Sequence, residues 1–178
     1  MTGVQTCALP IFTDPVPTVL VLRSFALAEP LAPPEREVDL VAPARSLLDR
    51  IARMGVLGRG LELPDAEVTA AWAGVLPPTS GWEPAGVVDA ASLARVAEEG
   101  MTRIAAALPD APGDAVVRQV RRAVWGGEIA PGLPAAAAFA AEAMGFLGGD
   151  GGVGMSATLT WRRLTTGRGE VLVRTFLG

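Results

Sequence analysis

SATLTWRRLTTGRGEVLVRTF (Ser156–Phe176) decides the fold class. SATLTWRRLTT and GEVLVRTF alternate like half-buried strands, and Gly167–Gly169 supplies the turn between them. The stretch therefore reads as a β-hairpin. Immediately upstream the period is helical. Asp89 is a suitable N-cap for a helix running to Leu108, just before Pro109. Its apolar stripe is Leu93, Val96, Ala97, Gly100, Ile104 and Leu108. Gly100 on that stripe costs about 1 kcal/mol against Ala, which points to a close approach by another backbone. DAVVRQVRRAVW (Asp114–Trp125) reads as a second helix with Val116, Val117, Val120 and Val124 inside, and GGEIAPGL as a loop. A third, Ala-rich helix spans Pro134 to Met144, with Gly145 placed to end it.

Further towards the N-terminus, TVLVLRSFALA (Thr18–Ala28) is rich in β-formers, and EPLAPPER breaks it with three prolines. EVDLV is a short strand candidate. PARSLLDRIARM suits a helix with Pro43 in its first turn. LPPTSGWEP, with Pro77, Pro78, Gly81 and Pro84, reads as a linker, and GVV after it as a short strand. Runs of one element type predict an α+β fold, in which an N-terminal strand/helix lobe precedes a C-terminal lobe of three helices and a hairpin. The expected domains are a truncated α+β lobe at 12–76, a linker at 77–85 and a helical lobe with hairpin at 86–178.

Residues 1–11 stand apart. With one permitted codon each, Thr2–Ile11 back-translates to ACT GGA GTT CAG ACG TGT GCT CTT CCG ATC, which reads as the end of a common short-read sequencing adapter. A signal peptide would need a positively charged start, and no Lys or Arg precedes Arg23. The leader is thus expected to be artefactual and to make few contacts. It leaves Cys7, the only cysteine, outside the native chain, and places the true N-terminus further upstream, with any targeting signal it carried. A strand at Thr18–Ala28 that has lost its upstream neighbour should then show an unfilled edge.

Composition narrows the chemistry. The 178 residues contain no Lys, His, Tyr or Asn. Ala, Gly, Pro and Arg have GC-rich codons, so the bias suggests a GC-rich bacterial genome. Without His or native Cys there is no Ser-His-Asp relay, imidazole or thiolate metal site, thiolate nucleophile or disulfide. The lack of Lys removes the phosphate-loop lysine and Schiff-base chemistry. No cofactor is implied, and whether the chain is an enzyme is left open in the absence of a catalytic motif. A net charge of −4 argues against nucleic acid. Membrane spanning takes about 20 apolar residues; the best stretch, LPAAAAFAAEAMGFL, is shorter and carries Glu142. A cytoplasmic protein with no membrane partner is expected.

Charge is unevenly distributed. From Arg118 onward the chain has seven arginines (Arg118, Arg121, Arg122, Arg162, Arg163, Arg168, Arg174) and four acids (Glu128, Glu142, Asp150, Glu170). Arg118, Arg121 and Arg122 share one helical face, and Arg162 and Arg163 decorate the hairpin. These five are the candidate site, a basic face for an acidic protein or anionic ligand. The ordinary alternative is a solvated helix face with strand arginines.

Other constellations are weaker. GDGGVG (Gly149–Gly154) matches G-x-G-x-x-G, but a dinucleotide site needs it between strand and helix, and here the order is reversed. Glu142 on an apolar helix reads either as a buried, perturbed carboxylate or as a side chain reaching solvent past alanines. Asp39 and Asp49 are a faint Mg²⁺ signal. Trp72 and Trp82 flank the linker and suit inter-lobe packing.

LPPTSGWEP, AVWGG, AAAAFAAEAMGFLG and RGEVLVR together resemble an uncharacterised family of proteins from GC-rich bacteria. That resemblance covers most of the chain and implies no activity. Two functions remain: a non-catalytic binding or interaction module acting through the basic C-terminal face, or a carboxylate-dependent, Mg²⁺-assisted enzyme. A cavity gathering Asp or Glu favours the enzyme. A filled core with arginines spread over an open face favours the module.

Overall fold

In the computed structural model the described residues are 4–12, 19–26, 77–149 and 152–174, with Ser46, Asp49, Arg50, Ala52 and Arg53 between them. Contacts divide the chain into Met1–Ala28 with Pro77–Gly178, and Glu29–Leu76. In the second unit the five described residues are helical, on the PARSLLDRIARM segment. Asp39 and Trp72 lie outside the described residues.

The first unit is α+β. Its strands are β1 (Val4–Phe12), β2 (Val19–Ala26), β3 (Glu83–Val88), β4 (Glu128–Ala130), β5 (Leu133–Pro134), β6 (Val153–Ala157), β7 (Trp161–Thr166) and β8 (Gly169–Arg174). The helices are α1 (Ala90–Ala107), α2 (Asp114–Trp125) and α3 (Ala135–Ala143). Six strands form one sheet in the order β1-β2-β8-β7-β6-β3, every neighbour antiparallel. The expected hairpin is β7–β8, with Thr166 paired to Gly169.

Register explains the core. Leu164 lies opposite Val171 on one side and Met155 on the other, Val173 opposite Val19, and Val153 opposite Val88. Residues facing each other across strands share a sheet face, so these apolar side chains form one surface. The helical layer covers it: Leu93, Val124, Trp125, Leu133, Phe146 and the α3 alanines from Ala135 to Ala141 join Val19, Val153, Leu164, Val171 and Val173 in a single buried cluster. Alanine lets α3 approach closely, and the helix lies against both β2 and β8.

Helix ends follow local rules. Asp89 caps α1 by accepting from the Ser92 backbone N–H at 2.8 Å. At the end of α3, Gly145 adopts φ +67°. The Gly145 N–H donates to Glu142 O at 2.9 Å and the Phe146 N–H to Ala141 O at 2.8 Å. This left-handed glycine turn satisfies two carbonyls of the last helical turn and swings Phe146 into the core.

The three helices meet at Trp125. Its ring stacks at a tilt on Phe139 of α3, with centroids 4.7 Å apart. It also fills the space a side chain at Gly100 would occupy. Gly100 thus admits an indole ring rather than the expected second backbone.

Several sequence expectations are corrected. SATLTWRRLTT is two strands, because a turn at Thr158–Thr160 interrupts it. There the Thr158 N–H donates to Trp161 O at 2.9 Å and the Trp161 N–H to Thr158 Oγ1 at 3.1 Å. GGEIAPGL forms the small β4–β5 ladder around Pro131 and Gly132. The linker span 77–85 overlaps β3 and includes Trp82, whose indole N–H donates to Pro78 O at 2.9 Å. Strand 19–26 belongs to the sheet through β8 rather than to a lobe at 12–76. Val116 is 43% exposed, so α2 buries fewer valines than its periodicity suggests.

The leader is also corrected. Val4–Phe12 is a strand, in register with β2 from Val4↔Ala26 to Phe12↔Val19. The outer edge of β2 is therefore filled. Edge pairing uses main-chain N–H and C=O groups and asks only for a β-permissive sequence, so VQTCALPIF needs no selected side chains to dock.

Two predictions follow from this packing. A methyl at Gly100 collides with Trp125, and overpacking costs about 1–3 kcal/mol, against a helix-propensity gain of about 1 kcal/mol. Gly100→Ala should lower the urea midpoint; a higher midpoint would contradict the placement of the ring. A chain starting after Phe12 should melt lower and self-associate more, because it exposes the β2 edge. Unchanged melting and a strict monomer by light scattering would make β1 dispensable.

Candidate functional site

Helix α2 is amphipathic and oriented with its charge. Asp114 lies in the first turn and Arg122 in the last, which complements the helix dipole. Val124 and Trp125, at its C-terminal end, are buried, whereas Val117 and Val120 are only partly so. Anchored at that end, α2 presents Arg118, Arg121 and Arg122, all exposed, at i, i+3 and i+4.

Arg162 and Arg163 do not extend this surface. Successive residues on a strand point to opposite faces, and these two are adjacent on β7. Arg162 lies on the row of Val173 and Val19, the face the helices cover. It donates from Nε to Pro131 O at 3.2 Å, and from Nη1 to Thr158 O at 2.9 Å and Trp161 O at 3.1 Å. One guanidinium thereby ties the β4–β5 turn to the β6–β7 turn. Arg163 lies on the row of Ser156 and Leu172, the opposite face. Its guanidinium stacks 4.5 Å from the centre of the Trp82 ring, and its Nε donates to Ser156 Oγ at 3.0 Å. Glu170 is 3.9 Å from Nη1. Both side chains are partly buried and spend their donors on the fold itself. The five-arginine face of the sequence reading is therefore corrected to three exposed arginines on α2 and two structural ones on β7. Trp82, expected between lobes, is the partner of Arg163; nothing in its spacing from the hairpin reveals that pairing.

A second feature is an open groove where the start of α1 meets the end of α3. Asp89, Glu142 and Arg168 line it. Arg168 donates from Nη1 to Gly145 O at 3.3 Å. Glu142 is exposed, so it reaches solvent past the alanines, the milder of its two readings. The Ser92 backbone N–H, joined by the Ser92 hydroxyl, holds the Asp89 carboxyl below its ordinary value of 3.8. A depressed folded pKa contributes stability above the unfolded value, and that stability is lost as pH falls through the folded one. The cap thus weakens only in acid. The GDGGVG segment joins the end of α3 to β6, the reverse of the strand-to-helix order a dinucleotide site needs; Asp150 and Gly151 lie outside the described residues. Asp49, the other half of the faint Mg²⁺ pair, is exposed on its helix.

Among the described residues, every buried side chain is apolar, and no three potential metal ligands gather. None of their helices is long and apolar enough to cross a membrane. Residues 77–177 match the model of a family described as a domain of unknown function (DUF8185). No curated protein and no solved structure matches the chain.

The two classes of arginine should separate by mutation. Arg162→Ala removes a charged donor from three backbone carbonyls and should cost about 1–3 kcal/mol in urea unfolding, given the usual worth of charge-assisted hydrogen bonds. Arg118→Ala should stay within about 0.5 kcal/mol, as exposed substitutions do. Equal losses would contradict the assignment.

Proposed function

The chain belongs to the DUF8185 family, and we propose that it is a non-catalytic binding module whose basic α2 face takes an acidic protein surface or another anionic ligand. The observation that carries this reading is the exposure of Arg118, Arg121 and Arg122 on one face of a helix anchored at its buried end. Guanidinium forks recognise carboxylates and phosphates bidentately. Each exposed pair contributes only about 0–1 kcal/mol, so the three act together.

The carboxylate-dependent, Mg²⁺-assisted alternative has one supporting observation, the groove that brings Asp89 and Glu142 to the same opening. Both carboxylates are exposed. Asp89 also already serves as the cap of α1. The binding reading is therefore the stronger one.

Fluorescence anisotropy with a labelled poly-glutamate peptide tests it. Binding should weaken as salt rises, because exposed charges are screened beyond about 8–10 Å at ordinary ionic strength. The combined Arg118→Gln, Arg121→Gln and Arg122→Gln variant should lose binding while keeping its helical circular dichroism, since Gln is a good helix former. Retained binding in that variant, or binding indifferent to salt, would overturn the proposal. A Mg²⁺ titration that protects the parent chain from unfolding, and fails on Glu142→Gln, would favour the enzyme instead.

A further inference from the structure

We draw no further inference here: the strongest candidate, the shallow apolar groove between the C-terminal half of α1 and α2 that Arg103, Ala106, Ala107, Val120, Ala123 and Val124 line, is an open face with nothing in the structure to show what covers it.

Discussion

The seat of α2 in the helical layer depends on one contact, the indole of Trp125 placed where α1 has no side chain at Gly100. The tilted stack on Phe139 fixes the same ring against α3. Trp125 is thus common to three helices, and α3 carries the arrangement to the sheet through β2 and β8. A larger residue at 100 would push α2 outward, and a smaller one at 125 would leave a cavity where the three helices meet. Interiors packed at crystal-like density relax only partly around such changes. The rest of α2 adds little of its own, because its first two turns bury no residue.

That arrangement separates structural charge from displayed charge. Arg162 and Arg163 are drawn into the fold, one by backbone carbonyls and the other by an aromatic face. The arginines of α2 lie on a helix whose fully buried residues, Val124 and Trp125, are both at its far end. A surface helix held in this way can present charge to a partner without placing its own packing at risk. The same reasoning separates the two functional readings: the basic face is exposed on a helix held at its buried end, whereas the groove carboxylates are exposed and, for Asp89, already in use.

Much of this was legible in the sequence, and what was not has physical causes. Caps are local, so Asp89 and Gly145 marked helix ends correctly. Helical spacing put Arg118, Arg121 and Arg122 together because α2 is a helix in fact. Strand spacing should also have parted Arg162 from Arg163, since adjacent strand residues diverge; grouping them by charge alone obscured this. Pairings between distant segments were beyond reach. Neither the stack of Trp82 on Arg163 nor the seat of Trp125 at Gly100 leaves a periodic trace, although Gly100 did signal a close approach. Edge pairing is the clearest case. Backbone hydrogen bonding is nearly blind to side-chain identity, so no sequence pattern foretold that residues 4–12 would occupy the edge of β2.

Hydrogen exchange resolved by segment in a Trp125→Leu variant tests the central claim most directly. Leucine keeps the site apolar but removes the ring that joins the helices. If Trp125 holds α2 to α1 and α3, the amides of α2 lose protection first, while those of β6, β7 and β8 stay close to the parent's values. Unchanged protection in α2, or a uniform loss across helices and sheet, would contradict the account.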